Sequence, residues 1–357
     1  MSSIKDVAKA ANVSTATVSR VLAKHPHVRP AVRERVLAAV AQLEYRPNLI
    51  ARNLRSQQSK TLGLIVSDIR NPFFTAVSRA VEDTAYAHGY NLLLCNTDEN
   101  PEKELLYLQL MGDEQVAGVI FSPTLQTLNR WHELHLSFPT VLIDRSLRSG
   151  DVDAVLLDNL SAGSLLAQHL LSQGYRRIGA IFGEASTTGR ERQRGFEAAL
   201  HDAGLSIQPE YVRFVRPQSE AGYRTTLELL GLPEPPEVIF TSNSLLTAGA
   251  LQAIREQGLR IPAQIGLVGF DDTAWASLVQ PAITVLAQPT DEIGRSATEL
   301  LLQRVADPQR PTRKIILQGE LIVRESSIEQ RAKSIEHRCT GTLDWQSCPL
   351  TPNPRSH

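Results

Sequence analysis

Two rhythms of apolar residues divide the chain. Up to about residue 56 they recur at helical spacing. Ile4, Val7, Ala8 and Ala11 share one face of a first helix, which Ser3 opens with Asp6 three positions on, the pattern of a capping box. Asn12-Val13 forms a tight turn, Ser14 caps a second helix, and Val18, Val21 and Leu22 give that helix one packed side. Its other side, with Thr15, Ala16, Ser19 and Arg20, is short and rich in polar groups, as in a helix that reads DNA. Pro30 sits in the first turn of a third helix that buries Val32, Val36, Ala39, Val40 and Leu43. After Pro47, residues 48–56 form a helix-competent segment with little core of its own, suited to being ordered by a partner, and Gln57-Gln58-Ser59-Lys60 reads as a linker.

From Thr61 the rhythm changes to apolar runs alternating with amphipathic stretches, the signature of parallel βαβ units. Strands are predicted at Leu62–Ser67, Asn91–Asn96, Val116–Ser122, Thr140–Asp144 and Val155–Asp158, with helices at 75–88, 102–113 and 128–135. The rhythm then restarts. Helices at 161–173, 190–203, 220–230 and 245–257 alternate with strands at Arg177–Phe182, 211–215, Val238–Ser242 and Ile265–Phe270. Thr284–Gln288, a helix at 291–305 and strands within 314–324 follow, some of them free to cross back to the first half. The predicted fold class is α/β: an all-α helix-turn-helix head on a two-lobed, doubly wound parallel-sheet body. Residues 1–46 form the head, 47–60 the hinge helix and linker, and 61–330 the body. Lobe one spans about 61–158 with 289–317, and lobe two 159–288 with 318–330. The polar, proline-containing stretch 331–357 is expected to be a disordered tail.

The formal net charge of −1 hides an asymmetry, because residues 1–60 hold 11 Lys and Arg against 3 acids. A basic head on an acidic body points to a polyanion touched by the head alone. At 42% hydrophobic and 21% charged residues the composition is that of an ordinary globular protein. No run of about 18 apolar residues and no charged-then-apolar leader occurs, so no membrane partner and a cytoplasmic location are expected. Cys95, Cys339 and Cys348 support neither a disulfide framework nor a zinc site. No glycine-rich nucleotide motif follows a strand, and His132 and His135 lack acidic or cysteine partners at ligand spacing; an enzyme, a cofactor and a metal are therefore not expected.

Several segments resemble the DNA-binding head and hinge of the LacI/GalR repressors: Ile4–Ala8, Val13–Leu22, Tyr45–Asn48 and Ala51–Leu54. Asn71-Pro72-Phe73-Phe74, Gly89-Tyr90, Val116–Ile120, Asp158-Asn159, Gly195-Phe196 and Gly269–Asp272 are similar to the effector-binding body of that family, most of all to its ribose and purine repressors. The resemblance spans about residues 3–327 in order. It implies a homodimeric transcriptional repressor on double-stranded, palindromic operator DNA, controlled by a small molecule held between two lobes. The second helix then enters the major groove, with Thr15, Ala16 and Arg20 at base edges, Arg20 toward guanine and Ala16 toward a thymine methyl. Ser14, Thr17 and Ser19 are expected at phosphates, although Thr17 and Ser19 also suit capping or solvation, and Lys5, Lys24, Arg29 and Arg33 add sequence-independent attraction. In the hinge, Leu54 is implied as a wedge between base steps, flanked by Arg52 and Arg55.

In the body, Asn71, Phe73, Phe74, Thr188, Arg190, Arg192, Asn243 and Asp271 are the expected effector contacts. Phe73 or Phe74 stacks on the ligand, Asn71 fixes a hydroxyl, and Arg192 clamps polar groups. Asp271 accepts from hydroxyls, its alternative role being to cap the next helix. Where sugar-binding members carry Asn-Asp, this chain has Asn243-Ser244. With Arg145, Arg148, Arg190 and Arg192 expected near the cleft, the lost carboxylate points to a sugar acid such as a ketogluconate ahead of ribose. A purine-type co-repressor is the alternative, and effector-driven release is expected over strengthened binding.

Overall fold

The computed structural model describes residues 2–22, 25, 27–45, 59–147, 149–184 and 187–328. Lys24, Arg148, the hinge residues Arg52, Leu54 and Arg55, and the expected tail 331–357 lie outside the described residues. Between Ser59 and Lys60 the chain divides into two compact units.

The first unit is built from α1 (Ile4–Ala10), α2 (Thr15–Leu22) and α3 (Pro30–Gln42). Ser3 and Asp6 form a reciprocal capping box, with the Ser3 amide donating to Asp6 Oδ2 at 2.8 Å. Asn12 turns the chain between α1 and α2 in the left-handed region, at φ +50°, where asparagine is better tolerated than most residues. The Thr17 amide then donates to Ser14 Oγ at 3.2 Å, capping α2. Val7, Ala8, Ala11, Val18, Val21, Val36 and Ala39 close the small core, and Val40 and Leu43 pack half-buried against it.

The second unit holds two six-stranded sheets. In chain order its elements are β1 (Thr61–Val66), α4 (Pro72–Ala87), β2 (Asn91–Asn96), α5 (Pro101–Asp113), β3 (Gly118–Phe121), α6 (Leu125–Asn129), β4 (Thr140–Ile143) and β5 (Asp153–Leu157). There follow α7 (Asn159–Ser172), β6 (Ile178–Gly183), α8 (Thr187–Asp202), β7 (Val212–Val215), α9 (Ser219–Leu230), β8 (Val238–Thr241), α10 (Ser244–Glu256), β9 (Gly266–Phe270), α11 (Ala274–Leu278) and β10 (Thr284–Ala287). The last are α12 (Thr290–Ala306), β11 (Lys314–Leu317), β12 (Glu320–Ile322) and a 3-10 turn at Glu325–Ser327.

The strand orders are β11-β5-β4-β3-β1-β2 and β12-β10-β9-β8-β6-β7. The two sheets therefore correspond strand for strand, β4 to β9 and β5 to β10. Every pairing is parallel except β10 with β12. Chain order alone would place the last three elements with the second sheet, yet β11 pairs with β5 in the first sheet, and α12 covers that sheet through Ile293, Ala297, Leu300 and Leu301. The chain thus crosses between sheets after β5, after β10 and between β11 and β12.

Two local expectations differ from the fold. The helix placed at 128–135 starts earlier, because Thr124 caps α6 by accepting from the Thr127 amide, and it gives way to a 3-10 turn at Trp131–Glu133. The five-residue α11 was not anticipated, being too short to show a periodic stripe.

Helices α7 and α8 approach very closely. A Cβ added to Gly163 would lie 2.1 Å from the Arg192 carbonyl oxygen, and one added to Gly195 would lie 1.9 Å from that of Leu160. This reciprocal pair of glycines fixes the start of α7 against the cavity-facing side of α8.

Candidate effector site and DNA-reading helix

A cavity of about 610 Å³ lies between the two sheets. Segments that follow the C-terminal ends of β1, β2, β3, β4, β6, β7, β8, β9 and β10 line it, the place where open α/β sheets hold ligands. No helix among the described residues is long and apolar enough to cross a membrane, and no cluster of three or more His, Cys, Asp or Glu among them is placed to hold a metal.

Of the eight expected effector residues, Asn71, Phe73, Phe74, Thr188, Arg192, Asn243 and Asp271 line this cavity. Arg190 does not. It stands exposed on α8, since residues two apart on a helix face different directions and Arg192 takes the inward one. Phe73 and Phe74 both reach the lining, packed edge to face with centroids 5.0 Å apart and each 4% exposed. Asn71 and Asn243 cap α4 and α10 through Oδ1, which leaves each amide nitrogen without a hydrogen bond among the described residues.

Asp271 sits at φ +69° directly after β9. It does not cap α11. Its Oδ2 accepts from the Ser244 amide at 3.2 Å, and its Oδ1 from Gln288 Nε2 at 2.6 Å. Arg192 is buried, donating from Nε to Asn159 Oδ1 at 2.8 Å and from Nη1 to the Ser242 carbonyl at 2.5 Å, with its guanidinium 4.1 Å above the Phe270 ring. Burial holds its pKa below the ordinary arginine value, despite the opposing attraction of Asp271 and Asp144.

Four further residues belong to the site. Asp144, at φ +65° after β4, is the counterpart in the first sheet of Asp271 after β9, and burial pushes its carboxyl above the usual range. Arg145 is 6% exposed and donates to both carboxylate oxygens of Glu99, at 2.9 and 2.5 Å. Burial disfavours its charge, but Glu99 and Asp144 more than offset that and raise its pKa. Its Nε lies 3.2 Å from Asp144 Oδ2 yet makes no hydrogen bond. Gln288 completes the set from the second crossing. The repeat of the two βα halves carried the signal for Asp144, an acid directly after the fourth strand of each. Nothing local marked Glu99 or Gln288.

Of the arginines expected near the cleft, Arg145 and Arg192 line it, joined by Arg70 and Arg216, while Arg190 does not and Arg148 lies outside the described residues. Arg145 is neutralised by Glu99, Arg70 by Asp68 at 3.0 Å, and Arg216 faces Glu184 at 3.6 Å. Ser244 is buried behind the wall rather than among the lining residues, so the missing carboxylate there removes no acceptor from the cavity. Three of the four lining arginines thus face a carboxylate, and Arg192 alone has no ion-pair partner among the described residues.

In the first unit, α2 buries Val18 and Val21 and leaves Thr15, Ala16 and Arg20 exposed, with Thr17 and Ser19 half-buried. Ser14 Oγ and Thr17 Oγ1 lie 3.0 Å apart, so the cap occupies part of the hydrogen-bonding capacity expected at phosphates. Lys5 and Arg29 are exposed, whereas Arg33 donates to the His25 carbonyl.

The model for bacterial regulatory proteins of the lacI family matches residues 3–48, and that for a periplasmic binding protein-like domain matches residues 167–327. The HTH-type transcriptional repressor PurR of Aliivibrio fischeri is 34% identical over 338 residues, covering 93% of this chain and all of that protein. Among solved structures, the lac repressor dimer bound to operator and the anti-inducer ONPF superposes with a TM-score of 0.83 at 26% identity, over 92% of this chain and 99% of that one. A putative ribose operon repressor from Burkholderia thailandensis is 33% identical with a TM-score of 0.67, over 74% of this chain and 99% of that one. A three-helix head with an outward polar face, a two-sheet body around a ligand-sized cavity and a relative aligned along its whole length agree: the chain belongs to the lacI family and is a DNA-binding transcriptional repressor.

Proposed function

We propose that this repressor binds a palindromic operator as a homodimer through α2 and is released by a small, neutral, sugar-type effector, with D-ribose as the leading candidate. The observation that carries the effector reading is the balance of the cavity. Arg145 with Glu99, Arg70 with Asp68, and Asp271 with Gln288 each present a donor beside an acceptor, which matches vicinal hydroxyls that both donate and accept. A carboxylate-bearing sugar that engaged Arg145 or Arg70 would have to displace Glu99 or Asp68, at a cost a neutral sugar avoids. The ribose operon repressor similarity points the same way. A purine-type co-repressor fits less well, because Phe73 and Phe74 come from one helix start and lie edge to face, so they offer no pair of opposed faces for a flat base.

In the head, Arg20 reads a base edge while Thr15 and Ala16 lie against the groove, and Lys5 and Arg29 attract the backbone. The residues proposed for the hinge, Arg52, Leu54 and Arg55, act at the minor groove between the two half-sites. Ligand and operator are linked through the angle between the lobes, with a coupling of about 1–3 kcal/mol.

Thermal shift of the full chain against D-ribose, 2-ketogluconate and hypoxanthine tests the effector. Ligand at about 100 times its dissociation constant adds about 2.7 kcal/mol of stability. Stabilisation by D-ribose with weakened operator binding is expected. Stabilisation by hypoxanthine or 2-ketogluconate and not by D-ribose overturns the neutral-sugar reading.

A further inference from the structure

Asn159 is the first residue of α7, directly after the first crossing between the sheets, and is 3% exposed. Its side chain has three partners. Oδ1 accepts from Arg192 Nε at 2.8 Å, while Nδ2 faces Glu191 Oε2 at 3.2 Å and the Leu157 carbonyl at 3.3 Å. Leu157 is the last residue of β5 and pairs with Leu317 in the first sheet, whereas Arg192 lines the cavity from α8 against the second. One amide group therefore joins a cavity-lining guanidinium to the backbone of the opposite lobe at the point where the chain crosses.

The surrounding packing gives this junction a direction. Gly163 and Gly195 bring α7 and α8 into backbone contact on either side of it, so Asn159 and Arg192 move as one body. Arg192 is held by Asn159 and the Ser242 carbonyl, but its Nη2 makes no hydrogen bond among the described residues. A ligand oxygen engaging Nη2 pulls on a group whose other end is fixed to Asn159. The displacement passes to the donation from Asn159 to Leu157, the one of its three bonds that reaches the first sheet.

We propose that Asn159 is a positioning residue that couples occupancy of the cavity to the angle between the lobes: it holds Arg192 through its oxygen and sets the first crossing through its nitrogen. This rests on the reading of the cavity as the effector site. The amide's two functions separate by substitution. Asn159→Asp keeps an acceptor for Arg192 and loses the donor to Leu157 and Glu191, while Asn159→Ala loses all three.

The test uses the full-length protein, D-ribose as the probe ligand and an operator duplex selected on the wild-type protein. Isothermal titration gives ribose affinity, and fluorescence anisotropy gives the ratio of operator affinities with and without ribose. A third readout needs no ligand: the distance distribution between spin labels at the exposed positions Arg79 on α4 and Arg224 on α9, with Cys339 and Cys348 replaced by serine. For Asn159→Asp, ribose affinity within about threefold of wild type is expected, with an operator ratio that collapses toward one from the roughly 5- to 150-fold of an intact coupling and a broadened distance distribution. Asn159→Ala is expected to lose ribose affinity and coupling together. A wild-type ratio and an unchanged distribution in Asn159→Asp overturn the proposal. Should D-ribose fail to bind the wild-type protein, the sugar reading falls and the ligand-free distribution alone decides: broadened in both variants supports the coupling role, unchanged refutes it. If Asn159→Asp does not fold, the distribution in Asn159→Ala decides in the same way.

Discussion

Replacing Gly195 with alanine puts the α7–α8 contact to a direct test. The added methyl carbon would lie 1.9 Å from the Leu160 carbonyl oxygen, 2.8 Å from its carbonyl carbon and 3.1 Å from its Cα. All three are backbone atoms of a neighbouring helix, so no side-chain rotation relieves the overlap. The helices must separate by more than an ångström, and overpacking of this kind costs about 1–3 kcal/mol, with a rigid backbone neighbour placing it near the upper end. Alanine returns about 0.5–1 kcal/mol through its better helix propensity. The net loss is about 2 kcal/mol, and at about 2–4 °C per kcal/mol for a body of this size, Tm falls by about 4–8 °C. Gly112 is the matched control. It also lies within a helix, α5, but the nearest atom to an added Cβ is 3.9 Å away, so Gly112→Ala is expected to hold or raise Tm. Calorimetry on the two variants beside wild type reads the difference. Because the same contact aligns Asn159 with Arg192, Gly195→Ala is also expected to weaken ligand binding. A Tm at or above that of wild type for Gly195→Ala would refute the close-packing argument.

Asp271→Asn removes the charge that accepts from Gln288 and the Ser244 amide; losing a charge-assisted bond of about 1.5–3 kcal/mol predicts D-ribose affinity lowered about 10- to 150-fold by titration, and an unchanged affinity would remove Asp271 from the ligand contacts. Arg20→Ala is expected to cost about 1–3 kcal/mol on the selected operator with little loss on random DNA, whereas Lys5→Ala should weaken both alike and lower the salt slope of binding by about 0.9. Equal effects of the two would show that Arg20 reads no base. Burial holds the pKa of the His169 imidazole below its ordinary value of 6.5, with Nε2 at 2.7 Å from Ser327 Oγ. The unfolded chain therefore protonates first, and stability present above about pH 6.5 declines as the pH falls toward the lowered folded value. Melting between about pH 7.5 and 5 should fall less steeply in His169→Gln than in wild type, and identical slopes would exclude His169 as the source.

The sequence by itself determined whatever depends on near neighbours in the chain. The capping box at Ser3 and Asp6, the turn at Asn12 and the packed stripe of α2 arise within a few residues of one another, and the alternation of apolar runs with amphipathic stretches follows from the periods of strand and helix. The first residues of α4 and α8 were legible as site residues for the same reason, since a side chain at the C-terminal end of a parallel strand faces the ligand side of the sheet wherever that sheet sits. Arg190 and Arg192 were not separable on that ground; about half a helical turn of rotation decides which of them faces inward.

Tertiary structure decided the charge of the cavity and its wiring. Arg145 read from sequence is a free cation, but folding brings Glu99 against it across 46 residues and cancels one of the charges that had pointed to an acidic ligand. Asp271 read locally is a helix cap; folding gives it Ser244 across 27 residues and Gln288 across 17. These partners meet because β2 and β4 end on the same side of one sheet, and β8, β9 and β10 on the same side of the other. Strand order is set by long-range packing that no local period encodes. Electrostatics in a buried site depends on separation in space rather than along the chain, so the ligand's chemistry became readable only once the strand ends had been brought together.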